Sequence, residues 1–289
     1  MSPGYSPTYD IGEPQQVQLP AGPTTVWDSA FDTAQPASDD LPVLLLHGWN
    51  IDAPTNYGFA FPKLKASQRA VMFDHQGHGR GLRSDRPFTL ADSAEDAVAV
   101  LDALEIDSAI VVGYSLGGAV AQTLLDKHPE RVAGLVLSAT SGRFAETRRE
   151  TAEFQFLAAA AKALRKVPAA ARKGIFSVIL AATTRKYPPW IADVVARADP
   201  ISLLEAGASL GTFDANLLGK PSPVPSAFVV TAEDIVVPPR RQVELATSLD
   251  VDSMHSLAAG HDVPILDNDD FNEALAQAVR TVTTAAQVT

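Results

Sequence analysis

Short runs of uninterrupted apolar residues recur along this chain and alternate with segments in which apolar residues have helical spacing. Such runs are typical of strands that are buried on both faces between two layers of helices. The predicted strands cover residues 42–46, 69–73, 108–113, 132–138, 226–231 and 252–258, preceded by two shorter strands at 17–19 and 24–31. The predicted helices cover residues 89–104, 117–128, 237–249 and 271–282. This alternation predicts an α/β fold with a mostly parallel, doubly wound sheet.

The alternation is interrupted between about residues 142 and 214. This stretch has helical spacing at 151–167, 175–182, 190–198 and 201–210. We therefore predict a core of residues 1–141 and 216–289, with a helical cap inserted at 142–215. The alternative is that these are ordinary crossover helices of the sheet. The bulky aromatic residues of the segment are candidates for contacts with a hydrophobic substrate or for packing within the cap itself: Phe144, Phe154, Phe156, Tyr187 and Trp190.

Charge and composition narrow the possible functions. The chain has 23 Lys and Arg against 34 Asp and Glu, and its net charge of −11 disfavours nucleic acids and anionic lipid surfaces as partners. It has no cysteine, which removes disulfides, thiolate metal sites and cysteine nucleophiles. No apolar run approaches the ~20 residues of a membrane span, and no secretory signal is visible. We predict a soluble, cytoplasmic protein.

The strongest chemical signal is the sequence Gly113-Tyr114-Ser115-Leu116-Gly117, between a predicted buried strand and a predicted helix. This is the context of a Gly-x-Ser-x-Gly nucleophile elbow, in which a tight turn lifts the serine hydroxyl above the sheet. The flanking glycines suit a turn that leaves no room for side chains. The helix N-terminus also offers backbone N–H groups to developing negative charge. We predict Ser115 as the nucleophile; the alternative is a glycine-rich turn with an idle serine.

A serine nucleophile needs a base, and His261 is the candidate among six histidines. It follows Gly260 just past the last predicted strand, so the fold brings it to the sheet edge that carries Ser115. The other histidines occupy positions typical of structural or surface roles: His47, His75, His78, His128 and His255. His75 and His78 share a glycine-rich loop, but no ligand cluster accompanies them, and we predict no metal site.

The base in turn needs an acid that fixes its tautomer and stabilises the imidazolium. Asp234 lies three residues past the predicted strand that ends at Thr231, again at the carboxyl edge of the sheet. Its neighbour Glu233 is the rival. We predict Asp234, because neighbouring side chains on an extended loop point apart and aspartate is the shorter of the two.

Together these motifs resemble the α/β-hydrolase superfamily over nearly the whole chain. The GYSLGG elbow, the HGW loop at 47–49, the D-x-x-G-x-G segment at 74–79 and the AEDIVVP and AGHD segments occur in family order, as does the series Ser115, Asp234, His261. The resemblance implies the α/β-hydrolase fold and an oxyanion hole formed by the N–H groups of Trp49 and Leu116. The sequence is most similar to capped esterase-like hydrolases of actinobacterial type. A longer basic loop, GHGRGLRS at 77–84, departs from the family pattern.

The predicted triad and the resemblance imply hydrolysis of a carboxylic ester through an acyl-enzyme on Ser115. The substrate would be a small molecule with a hydrophobic acyl or alcohol group, and no cofactor is implied. Haloalkane dehalogenases and epoxide hydrolases have an aspartate in place of this serine and are disfavoured. Carbon–carbon bond hydrolases, lactonases, amidases and acyltransferases use the same triad and are alternatives. A ligand receptor built on a hydrolase fold, with little turnover, is an alternative from a different class.

Overall fold

A single eight-stranded sheet organises the part of the chain that the computed structural model describes, which is residues 7–31, 41–169, 171–172, 174, 187–217, 219–266 and 268–288. The strands are β1 (Gln15–Leu19), β2 (Gly22–Asp28), β3 (Val43–Leu46), β4 (Ala70–Phe73), β5 (Ala109–Tyr114), β6 (Val132–Ser138), β7 (Ser226–Thr231) and β8 (Ser253–Leu257). Their order across the sheet is β1-β2-β4-β3-β5-β6-β7-β8. β2 runs antiparallel to β1 and β4, and all other neighbours are parallel. The mostly parallel sheet is confirmed.

Nine helices of the described ranges flank the sheet or lie in the insertion. They are α1 (Ala53–Tyr57), α2 (Phe61–Lys65), α3 (Leu90–Ala103), α4 (Leu116–Lys127), α5 (Arg148–Arg165), α6 (Pro189–Ala196), α7 (Pro200–Leu210), α8 (Pro239–Ser248) and α9 (Asp269–Ala286). Within these ranges, none has the length and apolar character that crossing a membrane requires.

Alternate residues of the central strands pack into two separate apolar cores. In β3, Leu44 and Leu46 belong to the core under α3, α4 and α8, whereas Val43 and Leu45 belong to the core under α1, α2 and α9. All four side chains have no exposed surface. Successive side chains of a strand point to opposite faces, so a strand covered on both faces must be apolar at every position. The doubly wound architecture is therefore confirmed.

The structure differs from the sequence-based expectation at short elements. The second strand was expected to run to Phe31, but β2 ends at Asp28 because its carboxylate accepts a hydrogen bond from the N–H of Ala30 (2.9 Å), which starts a 3₁₀ turn. Helices α1 and α2 were not predicted, since five residues are too few to show a helical period. The predicted helix at 175–182 lies outside the described residues.

Helices α5, α6 and α7 form the inserted helical region between β6 and β7, and specific polar contacts hold it on the core. The guanidinium of Arg197 pairs with Asp52 at 3.0 Å. Glu205 on α7 accepts a bond from the N–H of Phe88 (2.9 Å) and pairs with Arg165 on α5 (2.7 Å). The inserted region is thus fixed to the core through the loop before α1 and the segment that leads into α3.

The aromatic residues of the inserted region pack mainly inside the protein. Trp190 is 8% exposed in an apolar cluster with Val194 and Ile265. Phe144 and Phe154 contact the core beneath α4, with Phe144 buried, and Tyr187 lies against the cluster around Trp190. By contrast, Phe156 is 71% exposed on α5. These positions favour packing, rather than a shared substrate-lining surface, as the role of the buried aromatics.

Replacing Trp190 with alanine should therefore destabilise the protein. A large side chain removed from a packed cluster leaves a cavity, which costs about 3 kcal/mol in the free energy of unfolding. Phe156→Ala is the matched control, because removal of an exposed ring changes that free energy by about 0.5 kcal/mol or less. Urea unfolding of both variants measures the difference. Equal losses for the two variants would contradict this packing of Trp190.

Candidate active site

Ser115 occupies the turn between β5 and α4 in a backbone conformation that side chains rarely adopt. Its φ is 53° and its ψ is −114°, and it is the N-cap residue of α4. The turn is close-packed on both sides: a Cβ added to Gly113 would lie 2.5 Å from the carbonyl oxygen of Gly117, and one added to Gly117 would clash with that of Leu46. Only glycine fits at either position, as the elbow motif predicts.

Neighbouring groups hold this strained turn in place. The N–H of Ser115 donates to the carbonyl of Ser138 at the end of β6 (3.0 Å), and the hydroxyl of Thr140 donates to the carbonyl of Ser115 (2.8 Å). A conformation of this kind costs about 1–3 kcal/mol and persists only where its surroundings enforce it. The β5–β6 pairing and Thr140 provide that enforcement.

The structure brings Ser115, His261 and Asp234 together in one hydrogen-bonded series. The Oγ of Ser115 lies 3.0 Å from Nε2 of His261, and Nδ1 of His261 lies 2.7 Å from Oδ2 of Asp234. Ser115 and Asp234 are 5% and 4% exposed. The three residues follow β5, β8 and β7, which all end at the same edge of the sheet. Each pair is within the distance at which a nucleophile, a base and an orienting acid act.

Asp234 sits in a pocket of donors that the sequence did not reveal. Its Oδ1 accepts the N–H groups of Val236 (2.8 Å) and Val237 (2.9 Å), and its Oδ2 accepts the hydroxyl of Thr231 (2.9 Å) and Nε2 of Gln242 (3.3 Å). Thr231 at the end of β7 and Gln242 in α8 are residue types that are common at such positions. Their identity alone therefore did not indicate that they bond to Asp234. Four fixed donors leave the carboxylate little freedom to rotate.

The charge of Asp234 is stabilised despite its burial. Burial alone would raise the pKa of this carboxyl, but the hydrogen bond from His261 and the N–H of Val237 outweigh that effect and lower the pKa below its ordinary value. Glu233 is exposed, and its backbone N–H donates to the carbonyl of Ala259 (3.0 Å). Of the two rival acids, the structure places Asp234 at the histidine.

A second serine–histidine pair lies in the core, and among the described residues no carboxylate bonds to its histidine. The Oγ of Ser93 is 2.8 Å from Nδ1 of His75, whose Nε2 faces the carbonyl of His47 (3.1 Å). His47, His75 and His78 form a fully buried ring cluster, and burial lowers the pKa of His75 to about 3 and that of His78 to about 4. Within the described ranges, no three metal-ligating side chains are grouped as a metal site requires.

The loop after β3 passes directly beside Ser115. A Cβ added to Gly48 would lie 3.5 Å from Cβ of Ser115. The N–H of Gly48 donates to Oδ1 of Asn56 in α1 (2.8 Å), which fixes the loop. In the described part of the chain, the N–H of Trp49 has no acceptor. Leu116 is the first residue of α4, where backbone N–H groups lack intrahelical partners.

The indole of Trp49 connects this loop to the inserted region. Its Nε1 donates to the carbonyl of Leu203 in α7 (2.7 Å), and its ring lies so close to Gly207 that a Cβ there would be 2.5 Å away. The position of the Trp49 backbone therefore depends on where α7 sits.

The basic loop at 77–84 is organised by one arginine. Arg83 donates to the carbonyls of His78 (3.1 Å), Gly79 (2.6 Å) and Gly81 (2.7 Å), and also to that of Arg197 in the inserted region (3.0 Å). The departure from the family pattern thus gives the loop a set of internal hydrogen bonds and a contact with Arg197, the residue that follows α6. The polar contacts of Arg83 thus stabilise the conformation of the loop.

Comparison with known proteins identifies one matching family and many solved structures with a similar fold. The model of the α/β-hydrolase fold family matches residues 42–267. A hydrolase from Pseudomonas aeruginosa PA01 has a similar structure, with a TM-score of 0.71 and 22% sequence identity over 93% of this chain and 98% of that chain. A thermophilic esterase from Thermogutta terrifontis has a TM-score of 0.72 and 20% identity, over 94% of this chain and 100% of that one.

Curated relatives are similar over shorter stretches. A 2-hydroxymuconate semialdehyde hydrolase from Pseudomonas sp. strain CF600 is 38% identical over 104 residues, 35% of this chain and 37% of that protein. A rhodomycin D methylesterase from Streptomyces sp. strain C5 is 36% identical over 117 residues, 39% of this chain and 38% of that protein. The chain thus matches little more than a third of their length.

These relatives come from different bacterial groups and do not support the actinobacterial type that the sequence suggested. The structural likeness to the Pseudomonas aeruginosa hydrolase and the Thermogutta terrifontis esterase extends over more than nine-tenths of this chain and shows a shared fold. Since the family model also matches most of the sequence, this protein belongs to the α/β-hydrolase fold family.

Proposed function

We propose that this protein is a serine hydrolase that cleaves a carboxylic ester of a small molecule through an acyl-enzyme on Ser115. The observation that carries the proposal is the continuous hydrogen-bonded series from the hydroxyl of Ser115 through His261 to the buried carboxylate of Asp234 (3.0 and 2.7 Å). An ionised carboxylate only accepts hydrogen bonds, so Nδ1 of His261 carries the proton on that side. Nε2 is then free to accept the proton of Ser115.

The first half-reaction acylates the serine. The Oγ of Ser115 attacks the ester carbonyl while its proton passes to Nε2 of His261, and the resulting imidazolium is stabilised by Asp234. As the tetrahedral intermediate collapses, the same proton passes to the leaving alcohol. In the second half-reaction His261 takes a proton from water, which attacks the acyl carbonyl and releases the acid from Ser115. That second proton then passes from Nε2 of His261 to the Oγ of Ser115, so both side chains return to their starting states, while the first proton has left with the alcohol.

The N–H groups of Trp49 and Leu116 are the proposed oxyanion hole. The loop of Gly48 and Trp49 lies beside Ser115, the Trp49 amide has no acceptor in the described part of the chain, and Leu116 begins α4. Donors fixed in this way stabilise the oxyanion by about 3–4 kcal/mol each. The bond from Gly48 to Asn56 contributes by holding the loop before any substrate arrives.

We further propose that residues 142–215 act as a cap over the core of residues 1–141 and 216–289. The contact from the Trp49 indole to Leu203 supports this, because it joins α7 to the loop that carries one oxyanion donor. A cap that closes over a site excludes water and restricts substrate size. The hydrophobic acyl or alcohol group of the substrate would then be selected at the junction of cap and core.

Names among the similar proteins support an esterase and define the alternatives. They include a methylesterase and esterases, but also an enol-lactonase from Burkholderia xenovorans LB400 and the semialdehyde hydrolase. Lactone cleavage, carbon–carbon bond cleavage and acyl transfer all fit the same three residues. A panel of esters of increasing acyl length, lactones and amides, each with and without an acceptor alcohol, separates these reactions.

Ser115→Ala should abolish turnover of p-nitrophenyl esters, with a loss in kcat on the order of 10⁵-fold or more, because the attacking oxygen is removed. Ser93→Ala is the matched control, since Ser93 is also a buried serine bonded to a histidine, but no carboxylate of the described ranges bonds to that histidine. It should keep the native rate per folded molecule. Turnover that survives in Ser115→Ala would reject the nucleophile, and a native protein that binds esters without turnover would be a receptor.

Asp234→Asn should lower kcat by about 10⁴-fold with the fold intact, because an amide permits the wrong tautomer of His261. Glu233→Gln makes the same chemical change one residue earlier, at an exposed side chain, and should leave kcat close to the native value. Circular dichroism shows that both variants are folded before rates are compared. A larger loss in Glu233→Gln than in Asp234→Asn would identify Glu233 as the acid.

A further inference from the structure

The side chain of Tyr114, the residue before the proposed nucleophile, contacts the loop that carries the proposed base His261. Tyr114 is 2% exposed at the end of β5, and its hydroxyl donates to the backbone carbonyl of His261 at 2.7 Å. Its backbone continues directly into Ser115. One residue therefore connects the strand that carries the nucleophile to the chain that carries the histidine.

The carbonyl of His261 depends on this hydroxyl because of a neighbouring proline. In the turn after His261, the N–H of Val263 bonds to the carbonyl of Gly260 (3.2 Å) and that of Ile265 bonds to the carbonyl of Asp262 (3.1 Å). The intervening bond would run from residue 264 to His261, but Pro264 has no N–H. A polar backbone group shielded from water is costly to leave unpaired. Tyr114 supplies the donor that this turn lacks.

The ring of Tyr114 is itself held rigidly. It packs beside the imidazole of His261, with ring centroids 5.5 Å apart, and edge-on against Phe271 of α9 at 5.9 Å. Burial raises the pKa of its hydroxyl well above the ordinary value, and the nearby charge of Asp234 adds to this effect. The hydroxyl therefore keeps its proton, and remains a donor, at a pH at which an exposed tyrosine would ionise.

We propose that Tyr114 is a positioning residue that sets the distance between the nucleophile and the base. The inference rests on the proposed function of Ser115 and His261. Asp234 holds the imidazole ring from its Nδ1 side, whereas Tyr114 holds the backbone from which the ring projects. Without the hydroxyl, the loop can move away from Ser115, and Nε2 no longer meets Oγ at 3.0 Å.

The test compares Tyr114→Phe with Gln68→Met. Gln68 is buried, and its Nε2 also donates to a backbone carbonyl, that of Leu41 (2.7 Å), so the substitution removes a bond of the same kind. Leu41 precedes β3, at the edge of the sheet opposite to Ser115. Both variants should melt a few degrees below the native protein. Tyr114→Phe should lower kcat by about 10- to 100-fold, since small misplacements of catalytic groups have effects of this size, with KM unchanged. Gln68→Met should keep kcat.

A rescue variant separates positioning from general loss of stability. Pro264→Ala provides the missing N–H in the turn, so the double variant Tyr114→Phe/Pro264→Ala should recover a substantial part of kcat. The proposal is overturned if Tyr114→Phe has the native kcat, if its effect appears in KM, if Gln68→Met is equally slow, or if the double variant is no faster than Tyr114→Phe. Absence of Ser115-dependent turnover in the native protein would instead reject the proposed function.

Discussion

The close approach of the turn between β5 and α4 to the end of β3 is the constraint on which the rest of the site depends. Gly117 lies so near the carbonyl of Leu46 that no side chain fits between them. Within this turn Ser115 has a left-handed backbone conformation, and Gly48 lies beside it. Backbone packing in the centre of the sheet thus places Ser115 next to the loop of Gly48 and Trp49.

The remaining groups of the site come from the ends of β7 and β8 and are held by hydrogen bonds. The carboxylate of Asp234 is fixed by two backbone N–H groups and two side-chain donors, and His261 is held between that carboxylate and the hydroxyl of Tyr114. Since parallel strands deliver their carboxyl ends to one edge, three loops distant in sequence meet there. The inserted helices join the same arrangement through the indole of Trp49.

The sequence predicted the central sheet well because buried parallel strands must be apolar at every position, as in β3 and β5. It also led to Ser115, Asp234 and His261, since strand order and the elbow motif fix which loops share an edge. The apolar strands and the elbow motif are local sequence patterns, and the shared sheet edge follows from the strand order. None of these requires knowledge of side-chain contacts.

The rest of the site was not predictable for a physical reason. The bonds from Trp49 to Leu203 and from Tyr114 to His261 join residues 154 and 147 positions apart, and no local pattern records such pairs. An Ala-rich helix such as α5 has apolar residues on several faces, so its sequence did not show that Phe156 is exposed while Phe154 contacts the core. The five-residue helices α1 and α2 are too short to display a period.

The central claim is that packing of the elbow makes Ser115 a nucleophile activated by His261. Reaction of the native protein with a fluorophosphonate, followed by proteolysis and mass spectrometry, tests it most directly. The account predicts one adduct per chain, on Ser115, formed far more slowly in a folded His261→Ala variant. An adduct on another serine such as Ser93, or labelling at the same rate without the histidine, would contradict it.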